Sequence, residues 1–393
     1  MKFLLRSALL TAIAAASIAF GSDSDPAKTL KALNKELAAA KSPQDRQMAR
    51  QKVIAKAKEA VLGVDANKVE PKDGFQWAQV FRLANMPAEA TTSAERFLTT
   101  SPTEDRFAAQ LLVIGLYIEQ KQTQKALDLL RQASPSTTAQ RSQLASTTLR
   151  FASSGVSSEE SLQAISAVQK FITLDGITDP KQRTAEESAL NTLVTAKVAI
   201  YKADKKTDMV LQTIDEALKQ VSPDTKFAIH FRTLRNQFTV VGTPAPELVS
   251  DRAYGFFSGI QQWKGKVIVI DFFAHWCGPC KAAFPDMEKL YADLHPKGLE
   301  IVGSSTYYGF YGDEKGITED QEFARMEGFV KEFGIPWPVQ FGNRSNFEKY
   351  GVTAIPQVVV IDKSGIVHDL HIGYSKSLFA EFRAAIEKLL AQP

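Results

Sequence analysis

One change of pattern, near residue 236, constrains this chain more than any other feature. Over residues 25–236 apolar side chains recur at helical spacing in segments rich in Ala, Leu, Gln, Lys and Glu, with few glycines and little strand vocabulary. Beyond that point strand-like runs at 267–273, 299–305, 357–362 and 366–371 alternate with helical patterns at 280–294, 319–333 and 378–390. The first pattern can bury its apolar stripes only helix against helix, whereas the second builds a sheet covered by helices. The expected fold is two-part: an all-α region over 22–237 and an α/β domain over 238–393. The segment FTVVGTPAPE at 238–247, with Gly242, Pro244 and Pro246, suits entry into the second domain.

The extreme N-terminus reads differently from both. Lys2 and Arg6 precede an apolar run over 8–20 that ends in the small residues around Gly21, before the polar Ser22 and Asp23. That is the pattern of a secretory signal peptide over 1–21, and the run is short for a membrane span, which wants about 20 apolar residues. An uncleaved anchor is the alternative. The expected location is therefore periplasmic or secreted, where disulfides persist. A formal net charge of +3 over 393 residues, without a basic stripe, argues against a nucleic-acid partner.

Within the helical region a faint repeat can be aligned. Phe81, Ala90, Ala94, Phe97 and Pro102 form one copy; Tyr117, Ala126, Leu130 and Ala133 a second; Tyr201, Val210, Ile214, Ala217 and Pro223 a third. The step from Ala90 to Ala126 is 36 residues, near the period of about 34 of helix-pair repeats. An aromatic side chain on one helix facing alanine on the next lets two helices approach closely. The pattern resembles degenerate tetratricopeptide repeats, although the family's Gly and Trp positions are mostly missing. A plain helical bundle is the competing reading.

The chain's chemistry concentrates in DFFAHWCGPCKAAFP at 271–285, which holds Cys277 and Cys280, the only two cysteines. A structural zinc needs about four Cys or His ligands, and only His275 is near in sequence. Haem attachment requires His directly after the second cysteine, where Lys281 stands. An inert staple closing so short a loop would remove little chain entropy. Redox exchange fits best: at a strand-to-helix junction the first cysteine meets the unpaired N–H groups of the helix start, which favour its thiolate. No metal and no cofactor are called for.

At this point the chain resembles the thioredoxin superfamily, and in particular its periplasmic TlpA-like branch. The residues that carry the likeness are GTPAPEL at 242–248, WKGKVIVIDFFAHWCGPC at 263–280 and KYGVTAIPQVVVIDKSG at 349–365. The resemblance implies a central mixed sheet flanked by helices, with Cys277 as exposed attacking thiol and Cys280 as buried resolving thiol of one redox disulfide. It places Trp276, Gly278, Pro279, Ile355 and Pro356 against the substrate, with Pro356 cis. Asp271, a carboxylate in an apolar strand, matches the family's buried proton acceptor; desolvation should raise its pKa. A strand-end Asp in contact with water is the alternative.

His275 has no family counterpart and reads as a solvated loop histidine. Tyr307, Tyr308, Phe310 and Tyr311 lie in an insertion that either forms a client-binding rim or merely covers the domain. The Gly-Pro between the cysteines resembles thioredoxins, whose potential of about −270 mV marks a reductant. The implied partners are protein thiol or disulfide clients and a membrane electron donor. A peroxidase would need a Thr-x-x-Cys site that is absent, and a binding-only scaffold would not need the Cys pair, Asp271 and Pro356 together.

Overall fold

The computed structural model describes residues 25–99, 104–342 and 344–392. The expected signal peptide lies outside them, as does Pro102 of the first repeat copy. Among the described residues no helix is long and apolar enough to cross a membrane. Among the described residues eleven α-helices come first: α1 (Pro26–Ala38), α2 (Pro43–Ala60), α3 (Gly74–Leu83), α4 (Pro87–Leu98), α5 (Arg106–Glu119), α6 (Thr123–Gln132), α7 (Thr138–Ala152), α8 (Ser158–Gln169), α9 (Pro180–Ala203), α10 (Thr207–Leu218) and α11 (Lys226–Thr239). The mixed part follows as β1 (Arg252–Tyr254), β2 (Val267–Phe272), α12 (Gly278–Leu294), β3 (Leu299–Ser305), β4 (Phe310–Tyr311), β5 (Glu314–Lys315), α13 (Glu319–Glu332), β6 (Val339–Phe341), α14 (Ser345–Lys349), β7 (Gln357–Ile361), β8 (Val367–Ile372) and α15 (Lys376–Leu390). The chain divides into two compact units at Ala196/Lys197, inside α9.

The three aligned sequence copies are three helix–turn–helix pairs, α3/α4, α5/α6 and α9/α10. Each turn repeats one geometry. Asn85, Lys121 and Lys205 sit in the left-handed region at φ 59°, 57° and 57°. Immediately after them the N–H groups of Met86, Gln122 and Lys206 bond back to the carbonyls of Phe81, Tyr117 and Tyr201, at 3.0, 2.8 and 2.8 Å. Such a bond satisfies a carbonyl that the helix end leaves open. The aromatic position thus also supplies the acceptor that closes its helix. The small residues Ala90, Ala94, Ala126 and Ala217 are all fully or almost fully buried.

In the second unit the six-stranded sheet runs β1-β6-β3-β2-β7-β8. Strands β6, β3 and β2 are parallel, while β1, β7 and β8 run antiparallel to their neighbours. Strand β2 is buried along its whole length because both faces are covered. Val267 and Val269 pack with Met287 and Leu290 of α12 on one face. Ile268, Ile270 and Phe272 pack with Tyr350 and Val359 on the other. Alternation therefore delivers Asp271 to the α12 face.

Helix α11 belongs to this second unit, and the boundary expected at Phe238 falls within its last turn. Arg232 pairs with Glu348 of α14 at 2.5 Å, and Asn236 Nδ2 donates to the Glu348 carbonyl at 2.9 Å. Gln237 Nε2 donates to Thr353 Oγ1 at 3.0 Å. The backbones touch at Gly351, where a Cβ would lie 2.2 Å from the Gln237 nitrogen. No other residue fits there.

Candidate active site

The cysteines stand where β2 hands over to α12. Pro279 occupies the first turn of that helix, where its missing N–H costs nothing, and Cys277 is the N-cap. Cys277 Sγ accepts the N–H of Cys280 at 3.2 Å, the role that a Ser or Asp side chain plays at an ordinary N-cap. The two cysteines are joined in a disulfide with Cα atoms 5.3 Å apart. The expected contrast of an exposed and a buried cysteine is not found in this disulfide form: Cys277 is 3% exposed and Cys280 1%. Both sulfurs belong to the apolar cluster around Phe273, Ala274 and Phe284, so what separates them is the helix N-terminus.

Asp271 is 4% exposed. Its strand neighbours are Gly303 on β3 and Val358 on β7, neither of which brings a polar side chain. A Cβ at 303 would crowd the Phe273 ring at 3.0 Å and Val339 at 3.2 Å, which glycine avoids. Among the described residues the Asp271 carboxyl has no hydrogen bond or ion pair. Burial alone pushes its pKa from 3.8 up to about 7.

The Ile355–Pro356 peptide is cis, as the family likeness implied. Pro356 is buried and its carbonyl accepts the Gly373 N–H at 2.7 Å. Ile355 shares a cleft of ≈ 460 Å³ with Trp276, Tyr308, Arg344, Thr353 and, from α11, Ile229 and Thr233. Trp276 is 48% exposed and packs edge-on against Tyr308. Of the residues assigned to substrate, Trp276 and Ile355 line this cleft. Gly278 and Pro279 are exposed at the helix start outside its lining, and Pro356 turns toward Asp271 instead. Arg344, Thr353 and Ile229 were missed because only tertiary packing brings them there.

His275 is not a solvated loop residue. It is 5% exposed, ringed by Tyr308, Phe310 and Tyr311 at centroid distances of 5.9, 5.2 and 4.9 Å. Burial lowers its pKa against the opposing pull of Glu322, whose Oε1 lies 3.5 Å from Nε2. Glu322, itself buried, accepts the N–H groups of Tyr308 and Gly309 at 2.9 and 2.8 Å. The insertion is thus a small β4–β5 hairpin hung from one carboxylate. Its aromatics mostly cover the domain, Tyr307 stacking on Phe341 at 5.9 Å, while Tyr308 reaches the cleft.

A buried disulfide at a helix N-terminus, over an unpaired carboxylate and beside a cis-proline on a mixed sheet, gives the second unit the make-up of a thioredoxin-superfamily domain. Its likeness is to the TlpA-like, thiol–disulfide oxidoreductase branch of that superfamily. Residues 241–386 match the family model described as Redoxin. The chain is 29% identical over 132 residues to "Thioredoxin-like protein YneN" of Bacillus subtilis, covering 34% of this chain and 71% of that protein. It is 28% identical over 146 residues to "Thiol-disulfide oxidoreductase ResA" of Bacillus thuringiensis subsp. konkukian, covering 36% and 77%. Among solved structures, a putative thiol:disulfide interchange protein DsbE from Chlorobium tepidum aligns at 23% identity with a TM-score of 0.33, covering 38% of this chain and 98% of that one.

Proposed function

We propose that this chain is a secreted or periplasmic disulfide reductase acting on protein clients through Cys277 and Cys280. The observation that carries the reading is the Cys277 N-cap, where the helix start aims the Cys280 N–H at Sγ and so favours a thiolate there. In the reduced form the Cys277 thiolate attacks one sulfur of a client disulfide and expels the other as a thiolate. Cys280 then gives its proton to the Asp271 carboxylate and attacks Cys277 Sγ. The bond between Cys277 and the client breaks, the second client sulfur leaves as a thiolate, and two electrons have passed from the dithiol to the client. A pKa near 7 lets Asp271 take that proton and release it again near neutral pH.

Trp276, Gly278, Pro279, Ile355 and Pro356 are proposed to border the client strand, and the ≈ 460 Å³ cleft extends that surface onto α11. A reductant in an oxidising space must be recharged, for which a membrane electron donor is the proposed partner. The signal peptide over 1–21 would provide export. The recurring turn geometry supports a tetratricopeptide-like scaffold for the helical region, continuing to the redox domain. The names of the two relatives above support thiol–disulfide exchange as the chemistry.

The test uses the full chain. Cys280→Ser should accumulate mixed disulfides with clients and Cys277→Ser should not; trapping that needs Cys280 and survives loss of Cys277 would reverse the assignment. The potential of the couple should lie nearer the about −270 mV of a thioredoxin than the about −120 mV of a strong oxidant.

A further inference from the structure

Asp271 has a proton to dispose of after every turnover, and nothing in β2, β3 or β7 accepts it. The register of the sheet offers a route. Asp271 is paired with Val358, and Val358 with His371 on β8, so the three lie in one cross-strand row on one face. Strand β8 is the sheet edge. A cavity of ≈ 30 Å³ spans this row, with Asp271 and His371 both in its wall. Its remaining walls are largely apolar: Ala283 and Met287 of α12, Phe379 and Phe382 of α15. About 10–15 Å³ is enough for one water, provided the water finds two or more polar partners. Asp271 and His371 are the two polar residues of the row in that wall.

The imidazole is suited to the handover. His371 Nε2 is buried without a hydrogen-bond partner. It lies 3.0 Å from Asp369 Oδ2, two residues back on the same face, but out of line for a hydrogen bond. Asp369 has its side chain 42% exposed, against 17% for His371, so burial relaxes step by step from Asp271 to solvent. The other titratable group in the cavity wall is Tyr374, whose hydroxyl donates to Asp286 of α12 at 2.6 Å. Asp286 is in turn held by Lys376 of α15 at 2.7 Å. That proton is committed, and from β7 only Val358 enters the wall.

We propose that His371 is the proton outlet of the redox site, exchanging a proton with Asp271 through one water in this cavity and with solvent past Asp369. The proposal rests on Asp271 serving as proton acceptor for Cys280. No electron moves in this step: Asp271 loses the proton it took from Cys280, His371 binds it on Nε2, and water beside Asp369 receives it. His371 touches neither sulfur nor client and acts through Asp271.

Two measurements on the full chain test this. With histidines labelled by ¹⁵N, the His371 Nε2 shift should show an inflection at the Asp271 titration midpoint, lost in Asp271→Asn; a shift blind to Asp271 overturns the outlet, whatever the exchange activity. In single-turnover reduction of a small disulfide, His371→Gln should slow the resolving step by about tenfold, less than the roughly 10²–10⁴ of a group that transfers the proton directly. It should also flatten the pH profile around neutrality and leave the Cys277 attack step unchanged. Tyr374→Phe should keep the wild-type profile. His371→Gln should add nothing in an Asp271→Asn background; equal slowing there marks a packing effect and overturns the proposal. If Asp271→Asn itself leaves the rate and pH profile unchanged, the acceptor role of Asp271 fails, separately from the shift measurement.

Discussion

Each unit of this protein buries carboxylates, but on different terms. In the helical unit Glu186 and Glu187 are fully or almost fully buried, and each has an arginine beside it: Arg141 bonds Glu186, and Arg183 lies 3.5 Å from Glu187. In the redox unit Glu322 is bonded by two backbone N–H groups, whereas Asp271 has nothing. A charge removed from water is tolerated when it is paired and hydrogen-bonded, and otherwise neutralises. In the helical unit each of these carboxylates has a guanidinium beside it, although Glu186 Oε2 and Glu187 Oε1 make no hydrogen bond among the described residues. Asp271 stays unpaired among the described residues, as the proton acceptor proposed above requires.

The comparison breaks most visibly on stability. Arg141→Ala leaves Glu186 buried and unpaired and should destabilise the helical unit by roughly 3–5 kcal/mol, read by urea unfolding, with small-disulfide exchange unaffected. Asp271→Asn should have the opposite sign. The folded carboxyl titrates at about 7 and the unfolded one near 3.8. Between those values the folded state holds a proton that the unfolded state has lost, so the wild type loses stability as pH rises from about 4 to 7. At pH 8 the amide variant of the disulfide form should be more stable, by at most about 4 kcal/mol for a shift of this size. At pH 4 the two should be nearly equal. A difference between variant and wild type that is the same at both pH values would show that Asp271 is solvated.

A smaller effect sharpens the division of the chain. A fragment starting at Lys197 keeps α11 whole, whereas one starting at Phe238 loses the bonds from Arg232, Asn236 and Gln237. Each hydrogen bond contributes about 0.5–1.5 kcal/mol, so the shorter fragment should melt earlier and exchange disulfides more slowly. Equal melting of both fragments would place the structural boundary near 238 after all. The smallest effect expected concerns the helical unit itself: its removal should slow reduction of protein clients while leaving a small disulfide almost untouched.

The redox elements were legible because their signals are local. Strands at 267–273 and 299–305 and the helix after Cys280 lie within a residue or two of where the pattern puts them, since fully apolar runs bounded by turns leave few alternatives. Strands β1 and β6, three residues each, are too short to show a period. The family likeness carried Pro356, Asp271 and the cysteines. What was not legible depends on partners far along the chain: the covering of Cys277, the burial of His275 by a hairpin more than 30 residues later, and the cavity shared by Asp271 and His371. The strand at 366–371 was read, but which of its faces meets Asp271 follows only from register.

The Gln237 bond to Thr353 has a consequence for how such a protein can be recombined. Thr353 stands three residues before the cis-proline, so the last helix of the helical series doubles as a brace for the loop that carries Ile355 and Pro356. Grafting a foreign redox domain at the obvious composition break would leave that loop without its brace, and grafting a foreign helical array there would supply the wrong one. Chimeras spliced upstream of α10 should keep native exchange rates, whereas those spliced after α11 should need compensating changes at 351 and 353.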